Sequence, residues 1–318
     1  MRCLLAILTV GALACSKSEP AATGVGTSSG SAIGGGSGSA AREPTCEQLG
    51  FATTTPVPEA SGAAWLEIDG KLALVVISDS GNDGAYGVVD PETGETRETG
   101  KLPHGGGGSD LEGIAVRGGH LHVITSPGWI HTYARVAGGF ELVDKPYPLG
   151  PIDLAGKGGG LGDQPPKGSG MVCAANATNC GRNYEGLCLA PAGSTGGCIG
   201  FAASKADGHL YCVVEEGGKL VVQYANAIRI ARPGVVADCA FTDDGRLLVG
   251  SNLFDAGTVY RVGDWQDVAT AKVEKLANLA IGFPETIAAR ADVIYRMSDT
   301  GSTAPSLMAK YRCGLPTP

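Results

Sequence analysis

The chain of 318 residues contains 51 glycines and 10 cysteines, and its 24 basic against 32 acidic side chains give a formal net charge of −8. Glycine at about one residue in six, more than twice the usual share, excludes a long-helix or coiled-coil protein. Acidity without a Lys/Arg cluster excludes a nucleic-acid partner, and Leu, Ile and Val are plentiful enough that the whole chain is not disordered.

Met1-Arg2 is a short basic start, and 3–14 is an apolar run, too short to span a bilayer but right for the core of a signal peptide. The run ends in ALAC at 12–15, which resembles the bacterial lipobox. That resemblance implies a lipoprotein signal peptide over 1–14, a lipidated Cys15, and a membrane anchor of several acyl chains. An ordinary secretory signal cut after Ala14 is the other reading. Ser16 follows where an Asp would retain the protein at the inner membrane, so the resemblance points to the outer membrane or the cell surface. From Ser16 to Pro44 the sequence is Gly/Ser/Ala-rich without apolar periodicity. Residues 15–45 therefore form the lipidated cysteine and a flexible tether, with a random-coil reach of about 30 Å. Residues 46–318 are the folded domain.

Eight cysteines fall in that domain: Cys46, Cys173, Cys180, Cys188, Cys198, Cys212, Cys239 and Cys313. An even count in an exported chain reads as four disulfides of open pairing. Cys173 and Cys180 enclose a short loop without a nearby His or a CxxC, so they are not a zinc site.

Four segments then look alike: DLEGIA at 110–115, NYEGLC at 183–188, VADCAF at 236–241 and FPETIA at 283–288. Aligned on Glu112, Glu185, Asp238 and Glu285 they recur at spacings of 73, 53 and 47 residues, and EASGAAW at 59–65 is a weaker fifth copy in which Glu59 or Ser61 takes the place of the acid. Each is followed by a Gly/Asp turn and a β-branched run, LALVVIS at 72–78, HLHVITS at 120–126, HLYCVV at 209–214, RLLVGS at 246–251 and DVIYRMS at 292–298, then by further short runs. Short strands between Gly/Asp turns are an all-β signature, and four strands per repeat of about 50 residues is a propeller blade. A two-sheet sandwich would not need the repeated first strand. The last repeat holds only three strands, so an N-terminal strand at 50–55 completes it, and a bridge between Cys46 and Cys313 closes the ring. The count is five blades, or six if 148–182 hides a degenerate one. That Gly/Pro-rich stretch reads as an insertion loop.

The repeats are similar to those of the SdiA-regulated and esterase-like phytase group of β-propellers. The residues that carry the likeness are ISDS at 77–80, DLEGIA at 110–115 and NYEGL at 183–187. The resemblance implies an extracytoplasmic propeller over most of 58–300. The eight cysteines, the insertion and the tether are not features of that family.

In a four-stranded blade the entry to strand one and the loop after strand two share a face. The ligand-binding candidates at the channel mouth are therefore Asp79, Glu112, Glu185, Glu215, Glu216, Asp238, Glu285 and Asp299, with Glu112, Glu185, Asp238 and Glu285 as candidate metal ligands. So many carboxylates near one axis repel unless protonated, hydrogen-bonded or neutralised by a cation, and oxygen-only ligands favour Ca2+ or Mg2+. A structural role stands beside this, in which each strand-entry acid accepts N–H bonds from the neighbouring blade. The loop at 78–84 reads as Asx turns rather than an EF-hand. No nucleophile elbow, HExxH or P-loop is present. The expected function is a lipid-anchored, monomeric envelope propeller that binds a small molecule or a protein partner. The alternative is a Ca2+-dependent hydrolase of phosphoesters or lactones. Arg117, Arg135, Arg182, Lys219 and Arg296 do not recur at the rim to hold an anionic substrate, which weighs against an enzyme.

Overall fold

The structure is a computed structural model in which residues 45–151, 173–252, 257–301 and 304–315 are described. The signal, Cys15 and the tether lie outside these residues, as does most of the insertion loop. Among the described residues every regular element is a strand.

Two short strands, β1 (Cys46–Leu49) and β2 (Thr54–Thr55), open the fold. The first blade is β3 (Ala60–Ile68), β4 (Lys71–Ser78), β5 (Ala85–Val89) and β6 (Thr96–Lys101). The second is β7 (Leu111–Arg117), β8 (His120–Thr125), β9 (Trp129–Val136) and β10 (Gly139–Leu142), with β11 (Tyr147–Pro148) also on β9. The third is β12 (Tyr184–Leu189), β13 (Gly200–Ser204), β14 (His209–Glu216) and β15 (Lys219–Arg229). The fourth is β16 (Val236–Phe241), β17 (Leu247–Ser251), β18 (Thr258–Gly263) and β19 (Lys272–Asn278). The fifth is β20 (Phe283–Arg290), β21 (Val293–Asp299) and β22 (Ser306–Cys313).

All pairings are antiparallel, and the first strand of each blade packs against the first strand of the next, from β3 through β7, β12, β16 and β20 back to β3. The protein is a five-bladed β-propeller. β1 supplies the outer strand of the fifth blade, pairing Cys46 with Cys313 and Leu49 with Lys310, and β2 extends the same edge. The closing strand is thus 46–49 with a short continuation at 54–55, not 50–55, because the chain leaves the edge at 50–52 to seat Phe51 against Tyr295 and returns where the Thr53 carbonyl accepts the Met308 N–H at 2.8 Å. Lys310 lies over both rings and bonds the Pro91 carbonyl at 2.9 Å, stitching the fifth blade to the first.

Apolar side chains fill the seams between blades, since each sheet is apolar on both faces and has a neighbour on each. Val75, Leu111 and Tyr133 pack between blades one and two, and Phe201, Leu247 and Trp265 between three and four. Among the described residues there are four disulfides, 46–313, 173–180, 188–239 and 198–212. They mark an oxidising, exported environment.

The axis is narrow. A Cβ on Gly113 would overlap the Leu187 backbone nitrogen, so the small residue after each strand-entry acid is what lets inner strands approach. Each inner strand also carries a register shift, at Ser61, Glu112, Glu185, Ala237 and Glu285. A bulge turns its extra residue away from the regular in-and-out alternation. Here it turns that residue towards the axis.

Candidate functional site at the channel mouth

The bulges correct the alignment of the repeats. The residue equivalent to Glu112, Glu185 and Glu285 in the fourth blade is Ala237. Asp238 stands where the other inner strands have Gly62, Gly113, Gly186 and Thr286. Its carboxylate is not at the mouth but spans blades, accepting the N–H of Cys239 at 2.7 Å and that of Ile287, on the next inner strand, at 3.0 Å. The structural role considered for all four acids holds for this one.

The rim is set by one hydrogen bond per blade, from the residue at the end of strand two to the residue before the bulged strand. Asp79 donates to the Glu59 carbonyl, Ser126 to Asp110, Lys205 to Asn183 and Asn252 to Val235, at 2.9–3.0 Å, and Asp299 pairs with Phe283. The rim side chains are therefore Asp79, Ser126, Lys205, Asn252 and Asp299. Glu215 and Glu216 are not among them. The run at 209–214 belongs to β14, the third strand, so these acids emerge at the opposite end, where Glu215 meets Arg117 at 3.2 Å. The second strand is 200–204, whose small residues attract less notice than the β-branched run after it. The missed rim residue is Lys205, so the mouth does hold a basic group.

Asp79, Asp110 and Glu112 bring one carboxylate oxygen each to within 4.8 Å of one another. Asp110 had been read only as part of a motif. Its Oδ2 is buried without a hydrogen-bond partner, as is the Oδ1 of Asn183, its counterpart in the third blade. Ser61 donates to Glu112 Oε2 at 2.6 Å, Lys205 to Glu185 Oε2 at 2.8 Å, and Asn252 to Glu285 Oε1 at 3.5 Å. Asp299 sits at the rim near Glu285, but one of its oxygens closes its own turn on the Gly301 N–H at 2.6 Å. In the loop at 78–84, Asn82 ties down Glu59 at 2.5 Å and Asp83 faces Lys101, which is turn geometry.

Glu112, Glu185 and Glu285 are only 5, 3 and 6 % exposed. Burial pushes the carboxyl of Asp79 up to about 6, that of Glu185 to about 7 against the pull of Lys205, and that of Glu285 to about 8 with help from Glu185. Burial and then Asp79 drive Glu112 well above the usual range, and burial raises Asp110. Lys205 is the ammonium that acts on all five, and Glu185 and Glu285 outweigh its burial to raise it. Five carboxyls against one ammonium cannot all ionise in so small a space. The donor set is oxygen-only, which suits a hard divalent cation, and the unpartnered Asp110 oxygen is the vacant acceptor such an ion would take. Beyond the glutamates the channel is apolar, lined by Ala64, Ala115, Leu187, Ala240 and Ala288, so polar chemistry is confined to the mouth.

No family model and no curated protein matches the chain. Among solved structures it is similar to the PQQ-bound aldose sugar dehydrogenase of Streptomyces coelicolor, with 14% identity over 85% of this chain and 98% of that one at a TM-score of 0.49. It is similar too to the glutaminyl cyclase of Myxococcus xanthus, with 13% identity over 85% and 97% at 0.48. A third is the calcium-binding protein regucalcin of Agrobacterium tumefaciens, with 13% identity over 82% and 95% at 0.44. Likeness at this level does not bear on function.

Proposed function

We propose that the protein is an exported, lipid-anchored propeller that holds Ca2+ at the acidic mouth of its channel and binds an oxygen-bearing ligand there. The observation that carries this reading is the Asp79, Asp110 and Glu112 constellation, with one buried Asp110 oxygen lacking any partner. These three residues would hold the ion, and Glu185, Glu285 and Lys205 would line the ligand's approach. When bound, the ion supplies a Lewis acid for a ligand oxygen.

Calorimetric titration of the chelator-treated protein with CaCl2 tests it. One binding event is expected, weakened at least tenfold in Asp110→Asn and in Glu112→Gln. Location is read with terbium, a luminescent substitute for Ca2+. Trp129 opens β9 at the mouth, whereas Trp65 and Trp265 lie towards the other end of their blades. Sensitised terbium emission should persist in Trp65→Phe and in Trp265→Phe, leaving Trp129 as its source. No heat and no emission would sink the cation reading. Anchoring is a separate claim: Cys15→Ser should move the protein from the detergent phase to the aqueous phase.

A second reading is a cation-dependent hydrolase. It is favoured by Glu185 and Glu285, whose carboxyls titrate near neutrality as an acid or base must. Calcium-dependent turnover of a phosphoester or lactone, abolished in Glu285→Gln, separates catalysis from binding alone.

A further inference from the structure

The wall of the mouth beside Asp110 is not made by a blade. It is made by the loop closed by Cys173 and Cys180, which lies between the second and third blades and whose disulfide packs on the loop's own Ala177 rather than joining any of the seams. Three contacts hold it to the rim. The Trp129 indole donates to the Cys173 carbonyl at 2.9 Å, the Asn179 N–H donates to Ser126 Oγ at 2.9 Å, and Gly108 lies so close to the Ala175 carbonyl that a Cβ there would overlap it. Asn179 reaches Ser126 with a backbone φ of +50°, a left-handed conformation that the short ring imposes on a residue tolerant of it.

Ser126 is where this loop meets the site. Its N–H donates to the Asp110 carbonyl at 3.0 Å, its carbonyl accepts from Tyr184 at 3.0 Å, and its hydroxyl faces the Asp110 carboxyl. It is 1 % exposed, so its hydroxyl has no water to turn to. With the Asn179 N–H bonded to its hydroxyl and its own N–H bonded to the Asp110 carbonyl, Ser126 is fixed between the loop and Asp110. Asp110 is thus oriented from behind by Ser126, and Ser126 by the disulfide loop.

We propose that the Cys173–Cys180 loop sets the cation affinity of the mouth through Ser126, a positioning residue for Asp110. The inference rests on the cation reading above. An orienting partner behind a ligand is worth about 10- to 100-fold in metal affinity, whereas a loop outside the blade seams adds little to global stability.

The test is calcium titration of the full protein in four forms: wild type, Cys173→Ser/Cys180→Ser, Ser126→Ala, and the three changes combined. The loop variant and Ser126→Ala are each expected to bind about tenfold more weakly, and the combination no more weakly than either. Ser126→Thr should restore binding, and thermal melting in chelator should not move by more than a few degrees. Wild-type affinity in the loop variant overturns the inference, as does a combined loss equal to the product of the separate ones. Absence of both Ca2+ and terbium binding by the wild type overturns the cation reading itself, and this inference with it.

Discussion

Asp238 and Glu112 are both buried acids on inner strands, and one step of register gives them opposite work. Glu112 rides a bulge into the mouth, and Asp238 falls in the column of small residues and bridges two blades through backbone N–H groups. Asp238→Ala leaves the Cys239 and Ile287 donors buried and unpaired and removes the acid that interacts electrostatically with Arg296, which is itself fully buried. It should therefore destabilise the protein by about 3 kcal/mol in urea unfolding while changing Ca2+ affinity less than twofold. Glu112→Gln should do the reverse, losing Ca2+ without melting lower in chelator. His131 gives a pH signature independent of the mouth. It is fully buried, with Nε2 donating to the Gly107 carbonyl at 3.2 Å and Nδ1 3.1 Å from the Tyr133 hydroxyl. Burial holds its ring down to about 4. A folded-state value below the unfolded one makes this contribution complete above pH 6.5 and lost as pH falls towards 4. The shift is worth about 3 kcal/mol. The stability difference between wild type and His131→Phe should shrink by about that much from pH 7 to pH 4, and a difference independent of pH would contradict it.

At the scale of elements, the bulged first strand is the unit that turns a structural repeat into a site. The bulge projects one side chain to the axis, and the small residue after it lets the next inner strand close in. In the first three blades that residue is glycine, and a Cβ on Gly113 would overlap the Gly186 and Leu187 backbone just as one on Gly186 would overlap Asp238. Gly113→Ala should cost about 2 kcal/mol through overpacking, read as a lower midpoint in urea, and should weaken Ca2+ binding as well because Glu112 is its neighbour. The third blade shows how the element misleads. Its second strand, GFAAS, is made of small residues because Phe201 alone fills the seam with Phe241 and Trp265.

The described domain is a ring whose closure depends on one short strand. β1 contributes four residues, and the Cys46–Cys313 bridge joins positions 267 residues apart. On the chain-entropy account that bridge is worth about 5.6 kcal/mol against about 3 for the 14-residue separation of Cys198–Cys212. Cys46→Ser/Cys313→Ser should accordingly lower stability to guanidinium more than Cys198→Ser/Cys212→Ser does, and equal losses would show that the seam at Phe51 and Lys310 closes the ring unaided. Strand direction also places Cys46 and Cys313 at the end away from the mouth, since β22 runs from the rim to Cys313.

Much of this was legible in one dimension. The spacing of Gly/Asp turns and β-branched runs determined the all-β propeller, the missing strand in the last repeat determined that the N terminus closes it, and an even set of exported cysteines determined four disulfides. These features are local or periodic, so they survive in sequence. The pairing of eight glutamate and aspartate candidates with actual positions was not local. Glu215 and Glu216 went to the far end because strand parity, not composition, decides which end a loop occupies. Asp238 became a strut because a bulge shifts register by one residue and a carboxylate does not reveal on which side of that shift it stands. Lys205 and Asp110 joined the mouth only when hydrogen bonds between strand two and strand one brought them to one rim. Which acids meet at the mouth is a question of distances around a closed axis, and only the folded ring sets them.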